Sequence, residues 1–533
     1  MELNLKNLDL IKENKKIATP KYDVLKMRKE TLENPIWIHF GAGNIFRGYI
    51  ARLQDDLLNK GLATKGVVAA DTFDGEIISK IYQPYDDLTL LATLSANEPT
   101  AYRVVSSVAK GYFANQTSPD FEKLVEIFKK PSLQMISFTI TEKGYALRNI
   151  NHEYLPIVLE DFKNGPEKVG HAMSIIASLL YVRYQANKLP LAVVSMDNCS
   201  HNGEKLQASV MEVANTWYKE GKVEKGFIDY LKDETKITFP WSMIDKITPR
   251  PAKEVEQEVE ALGFTNMAPI TTSRHTYIAP FVNSEVCEYL VIEDHFPNGR
   301  PALEKAGVYF TDRDTVNKVE TMKVTTCLNP LHTALACYGC VLGYNSIASE
   351  MENKDLVTMI EQIGKEGMKV VVDPKIIHPI DFLNEVLYKR LPNKAIPDTP
   401  QRIATDTSQK IPVRYGETIK SYLARKDLSE KDLTFIPLAI AGWCRYLLAL
   451  NDNLEPFELS PDPMLSILTG ILAPVKKDMK YHGELKQILE NTAIFGTDIS
   501  KLEIGKKVEE FFTKMLVKGG VSKTLHEVCK LAK

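Results

Sequence analysis

The chain has 533 residues, more than one ordinary hydrophobic core accommodates, so two domains are expected. Its 66 Lys and Arg nearly balance 69 Asp and Glu, a formal net charge of -3, which excludes the basic surface that nucleic-acid binding requires. Seven cysteines in no dense pattern fit a reducing compartment and exclude a disulfide-built scaffold.

The opening MELNLKNLDL has neither a basic flank nor a small-residue cleavage site, so it does not read as a secretory signal, and a cytoplasmic protein is expected. Residues 1–310 then alternate short apolar runs with longer amphipathic ones. This pattern predicts a mostly parallel sheet flanked by helices. Candidate strands are Ile36–Phe40, Gly66–Ala70, Leu88–Leu94, Gln134–Ile140 and Leu191–Met196, with helices over Asn44–Lys60 and Lys168–Asn187. The turn-rich HFPNGRP at His295 to Pro301 begins the connection to a second, helical domain at residues 311–533. Helical periodicity there covers Thr333–Tyr344, Ile380–Tyr388, Gly416–Ala424 and Val508–Leu516. The apolar stretch from Phe435 to Leu450 is broken by Pro437 and Arg445 and is shorter than a bilayer needs, so it reads as a buried helix and no membrane partner is expected. Cys337 and Cys340 form a Cys-x-x-Cys without a second pair, which reads as core packing and not as a zinc site.

Two stretches carry chemistry. After the strand-like PIWIHF comes GAGNIFRGY, where Gly41 and Gly43 sit on a strand-to-helix turn and Asn44, Ile45 and Phe46 open the helix. Glycine lets the backbone turn tightly and approach a dinucleotide pyrophosphate, and the helix N-terminus offers unpaired N–H groups. Phe46 stands where the G-x-G-x-x-G fingerprint has its last glycine, so the motif is incomplete. The next strand, GVVAAD, ends in Asp71, a position from which a carboxylate binds ribose hydroxyls and repels the 2′-phosphate of NADP. NAD is therefore the expected cofactor; a glycine turn in another α/β protein with a strand-capping Asp is the competing reading. Further on, VETMKVTTCLNPLHTALA holds Glu320, Lys323, Asn329 and His332. One reading is a helix capped by Asn329 with a satisfied histidine three residues on. The other is an alcohol-oxidising site, in which a desolvated Lys takes the hydroxyl proton and Asn and His hold the developing alkoxide.

The Lys followed by Asn-x-x-His resembles the signature of the long-chain polyol (mannitol) dehydrogenase family. TITEKGY, SMDNCSHNG, FPWSMIDKITP, VIEDHFPNGRPALEKAGV and PDTPQRIATDTSQKIP are similar to that family in the same order along the chain. The resemblance implies an α/β N-terminal Rossmann-like domain with a mainly α-helical C-terminal domain, and no metal. It implies that Lys323 is the general base in oxidation and the acid in reduction, that Asn329 and His332 bond the reacting oxygen, and that Glu320 lines the proton route. Thr141 and Glu142 would join Gly41, Gly43, Asn44, Ile45, Phe46 and Asp71 on the cofactor side, with Asn198, Asp245, Arg402 and Lys410 on the substrate side. A turn-shaping Asn198, an Asp245 paired with Lys246 or Arg250, and a solvated Arg402 and Lys410 are the plainer alternatives.

One departure stands out. Lys323 and Asn329 are one residue further apart than in the family, which on a continuous helix rotates Lys323 by about 100°. Either a bulge or non-helical step before Pro330 absorbs it, or the pocket is reshaped. The expected reaction is NADH-dependent reduction of D-fructuronate to D-mannonate, with tagaturonate reduction and mannitol oxidation as alternatives. A non-catalytic NAD-binding sensor is the alternative of another class. The expected partner is a small sugar acid or polyol, on a monomer or small homo-oligomer.

Overall fold

In the computed structural model, which describes residues 1–532, the chain divides into two compact units, Met1–Asn317 and a second that begins at Lys318. Lys533, the last residue of the expected helical domain, lies outside the described residues.

The first unit is built on six strands: β1 (Trp37–Phe40), β2 (Val67–Asp71), β3 (Val108–Phe113), β4 (Met135–Phe138), β5 (Leu191–Ser195) and β6 (Ile237–Thr238). They lie in the order β3-β2-β1-β4-β5-β6 with every pairing parallel, the doubly wound order of dinucleotide-binding sheets. Successive side chains of a strand point to opposite faces. Ile38 and Phe40 therefore enter one core with Val68, Ala70, Ile136 and Phe138, while Trp37 enters the other with Val67, Ala69 and Met135. Burial on both faces is why these strands read as unbroken apolar runs and not as alternating ones.

The expected strand at Leu88–Leu94 forms, over Thr89–Leu94, but not in this sheet. It pairs antiparallel with Ala101–Val105 and parallel with Phe281–Glu285 in a separate four-stranded sheet, and β3 takes the outer place beside β2. Apolar runs of this length specify a strand without naming its partner. The six residues 95–100 turn the chain back on itself as a hairpin before β3 begins.

The second unit is helical. The helix α2 (Arg313–Met322; α1 is Ala51–Asn59) leads into it, followed by α3 (Asn329–Leu342) and α4 (Phe435–Tyr446). Every residue of α4 is buried. Both interruptions of its apolar run have a place. Pro437 is the third residue of the helix, where an N–H would have no intrahelical acceptor, and the three N–H groups of Thr434, Phe435 and Ile436 are taken by the Glu366 carboxylate. The Arg445 guanidinium donates to the carbonyls of Met515, Leu450 and Asn451 at 3.0, 2.6 and 2.9 Å. Cys337 and Cys340 are buried free thiols within α3. Among the described residues no helix is long and apolar enough to cross a membrane.

Glu350 lies against α3, where a Cβ added at Gly339 would come within 2.2 Å of its Oε1. It is 0% exposed and neither oxygen has a hydrogen-bond partner, so burial pushes its carboxyl up to about 9. The folded value lies above the ordinary 4.5, so the contribution of this group is complete below pH 4.5 and is lost as pH rises toward about 9. Replacing it by the non-titrating Glu350→Gln should open a stability gap in favour of the variant that widens between about pH 5 and pH 9. Thermal unfolding of both proteins across that range checks it; a gap independent of pH would mean that Glu350 does not titrate in the fold.

Candidate active site

The dinucleotide-type elements collect at the carboxyl ends of β1, β2, β4 and β5, the edge where doubly wound sheets bind ligands. Gly41 adopts φ 104°, and a Cβ there would lie 2.2 Å from the Thr139 carbonyl oxygen, so only glycine fits between β1 and the chain leaving β4. Gly43 is different: a Cβ there would meet nothing within 4 Å. The helix begins at Asn44, and its first bond runs from Arg47 N–H to Gly43 O at 3.1 Å, which leaves the N–H groups before it outside the helical ladder. Open space over a glycine beside such N–H groups fits a pyrophosphate. Asn44 accepts from the Arg47 guanidinium through Oδ1. Ile45 is half-buried, and Phe46 is fully buried with its ring stacked on His39 at 4.4 Å, so Phe46 faces the core where the fingerprint has glycine.

Asp71 closes β2 and ties the turn together. Its carboxylate accepts from Ala42 N–H at 3.0 Å and from Phe73 and Asp74 N–H at 2.9 and 2.7 Å, and burial raises its pKa against those three bonds. After β4, Thr141 is held at φ 66°, ψ 160°, a region that β-branched residues avoid. Such a conformation costs about 1–3 kcal/mol and persists only where its surroundings fix it. Asp197, at the end of β5, fixes it by accepting from Ile140 and Thr141 N–H at 2.9 and 2.8 Å and from the Tyr145 hydroxyl at 2.5 Å. Sequence reasoning passed over Asp197, although it stands inside the SMDNCSHNG segment. Glu142 is exposed and pairs with Lys205. Asn198 follows Asp197 on the exposed turn. Asp245 is buried at the end of a strand of another sheet, Ser242–Asp245, and Lys246 beside it binds Glu288 at 2.8 Å.

In the second unit the backbone between Lys323 and Asn329, where the family resemblance led one to expect one residue too many, takes an irregular step. Lys323–Cys327 forms a π-helical turn between α2 and α3, closed by Leu328 N–H to Lys323 O at 3.1 Å, a bond five residues long. A π turn holds one residue more than an α turn, so the surplus is taken up without displacing Asn329 and the helix it opens. Lys323 is 4% exposed. Pro330 lies in the first turn of α3, and His332 occupies the next position that shares a face with Asn329. Glu320 stands three residues before Lys323 on α2, half-buried.

His332 is neutral at neutral pH. Burial drives its pKa down to about 4; Asp398 opposes this, and the charges of Arg414, Arg402 and Arg390 reinforce it. Its Nε2 lies 3.7 Å from Asp398 Oδ2, too far to bond, and is buried with no partner. A neutral imidazole three residues after Asn329 on one helical face, in a helix that follows the turn carrying the buried Lys323, can hold an oxygen without competing for its proton.

The substrate-side cations expected from sequence each have partners within the protein. Arg402 is exposed and pairs with Asp398. The Lys410 ammonium donates to Ile403 O at 3.2 Å and to Thr405 O, closing the short Pro400–Ile403 helix. Arg414, which the sequence reading did not select, reaches the helix that carries His332: its Nη1 donates to the Thr333 hydroxyl and lies 3.5 Å from Asn329 O. Its only signal in the sequence was its place two residues beyond the PDTPQRIATDTSQKIP segment.

The mannitol dehydrogenase Rossmann domain family model matches residues 35–305, and the mannitol dehydrogenase C-terminal domain model matches residues 315–516. The chain is 49% identical to the D-mannonate oxidoreductase of Thermotoga maritima, over 96% of each chain. It is 26% identical to the mannitol 2-dehydrogenase of Neosartorya fischeri, over 98% of each. Among solved structures, a mannitol 2-dehydrogenase of Pseudomonas fluorescens in ternary complex with NAD and D-mannitol superposes with a TM-score of 0.69 at 26% identity, covering 99% of this chain and 100% of that one. A substrate-free D-sorbitol dehydrogenase shares the fold with a TM-score of 0.80 at 23% identity, covering 98% of this chain and 99% of that one.

The two glycines of the turn separate folding from binding. Gly41→Ala is expected to prevent normal folding or to lower Tm strongly, because its Cβ would strike backbone. Gly43→Ala should leave Tm unchanged and weaken binding of a dinucleotide, with NADH as the fluorescent probe, by about 10-fold through intrusion on the cradle. Unchanged NADH affinity in Gly43→Ala would remove the turn from the cofactor site.

Proposed function

The chain belongs to the mannitol dehydrogenase family, and on that footing we propose that it interconverts D-fructuronate and D-mannonate. It is an NAD-dependent oxidoreductase acting on CH–OH groups. The observation that carries the substrate assignment is the 49% identity, along 96% of the chain, to a D-mannonate oxidoreductase.

Bound NAD supplies the hydride acceptor in oxidation and, reduced, the donor in reduction. Gly41, Gly43 and the N–H groups before Arg47 would hold its pyrophosphate, and Asp71, beside the same turn, its adenosine ribose. Thr141 and Glu142 follow β4 at the same edge and complete the cofactor side.

Chemistry at the carbonyl needs a group that gives a proton to the forming alkoxide and others that stabilise its charge. His332 is disqualified as the acid, since a group with a pKa near 4 carries no proton to give at neutral pH. Its Nε2 and the Asn329 amide hold the oxygen, and the Lys323 ammonium Nζ transfers the proton; in oxidation the neutral amine takes it back. Glu320, one helical turn before Lys323, passes the proton toward water. Asn198, Asp245, Arg402 and Lys410 are assigned to the substrate side on the family pattern. A cytoplasmic setting fits seven free thiols, and a monomer or small homo-oligomer fits a small-molecule substrate.

Lys323→Ala should lower kcat by roughly 1000-fold while NADH affinity changes less than about 2-fold, because the proton donor does not touch the dinucleotide. Stopped-flow turnover and NADH fluorescence titration measure the two; retained turnover would assign the proton to another residue. Separately, kcat/KM should rank fructuronate above tagaturonate and fructose. A preference for fructose would refute the uronate assignment and leave the family untouched.

A further inference from the structure

We propose that Arg414 binds the substrate carboxylate and is the residue that selects a uronate over a ketose. The inference rests on the uronate reading above and deepens it. The two substrate classes differ at one end of the carbon chain, where a carboxylate replaces a hydroxymethyl group. Telling them apart requires a full positive charge with unused N–H donors, shielded from water and fixed relative to the residues that hold the reacting oxygen.

Of Arg402, Lys410 and Arg414, only Arg414 meets all these conditions. The Arg402 charge is already matched by Asp398, and its side chain is 63% exposed. Lys410 is engaged by two backbone carbonyls. Arg414 forms no ion pair with Asp or Glu among the described residues, and no carboxylate contributes to its pKa, which burial lowers to about 10. It stays charged at neutral pH.

Other buried arginines show what a structural role looks like. Arg183 donates to the carbonyls of Leu189, Phe128, Lys130, Leu133 and Pro190, and Arg445 to those of Met515, Leu450 and Asn451. Arg414 uses Nη1 alone, on the Thr333 hydroxyl and within 3.5 Å of Asn329 O. Among the described residues Nε and Nη2 have no hydrogen-bond partner and are not sealed in the core, so a whole edge of the fork remains for two parallel bonds to a carboxylate.

Its anchor points decide the geometry. Thr333 follows His332 directly, and Asn329 is the other residue assigned to the reacting oxygen, so the first turn of α3 fixes the guanidinium relative to both. The Arg414 charge also reaches His332, whose pKa it lowers. A half-buried cation without a counter-ion carries an unrecovered desolvation cost, which a carboxylate ligand relieves and a hydroxymethyl group does not.

The test compares wild type, Arg414→Gln and Arg414→Lys in kcat/KM for fructuronate and for fructose, with NADH affinity and Tm measured on each protein. Arg414→Gln should lose about 100-fold in kcat/KM for fructuronate, mainly through KM, and less than about 3-fold for fructose. Arg414→Lys, which keeps the charge and loses the fork, should fall between them. Equal losses on both substrates, or no loss on fructuronate, would overturn the proposal while a wild-type preference for fructuronate still stood. A wild type that itself prefers fructose would overturn the uronate reading and this proposal with it, and is recognised before any variant is made.

Discussion

The five-residue bond from Leu328 N–H to Lys323 O is the constraint on which the proposed catalytic residues depend. With ordinary α-helical bonds, the six-position step from Lys323 to Asn329 would set the ammonium about 100° away from the phase that the family resemblance leads one to expect relative to Asn329 and His332. The π turn takes up the surplus before Pro330, whose missing N–H then falls where a helix start needs none. Two further π turns occur in the same unit, Val386–Arg390 and Pro412–Gly416. The three turns carry Lys323, Arg390 and Arg414, and the first packs against the third. Widened turns present a side chain at an angle that a regular helix cannot, a common reason for their occurrence at functional sites.

Charge is the second organising element. Burial keeps His332 neutral, with Asp398 opposing the shift and the charges of Arg414, Arg402 and Arg390 reinforcing it. In the proposed mechanism this separates two tasks that a protonated imidazole would confuse, holding the oxygen and supplying its proton.

Both units solve the same problem of loose backbone groups with buried charges. Asp71, Asp197 and Glu366 accept N–H groups at a glycine turn, a strained loop and a helix start, while Arg183 and Arg445 satisfy carbonyls. Each carboxylate among them has its pKa raised mainly by burial, so each works against a desolvation cost and holds because several donors converge on it. Glu350 lacks such donors, which marks it as a weak point of stability.

The sequence by itself determined a great deal. Periodicity and turn residues specify an α/β first half and a helical second half, because the apolar spacing of buried strands and helices is a local property. The glycine pair, Asp71 and the Lys323, Asn329 and His332 series are legible as candidates because the chemistry proposed for them needs particular residue types close together in the chain. Only the tertiary structure decided the rest. It placed Thr89–Leu94 outside the parallel sheet, since an apolar run does not name its partner. It paired Arg402 with Asp398, turned Lys410 onto carbonyls and left an edge of Arg414 open, because which of several cations stays unmatched depends on what the fold brings to each. It also resolved the extra residue before Asn329 as a π turn, a choice between hydrogen bonds of similar energy that packing, and not local sequence, determines.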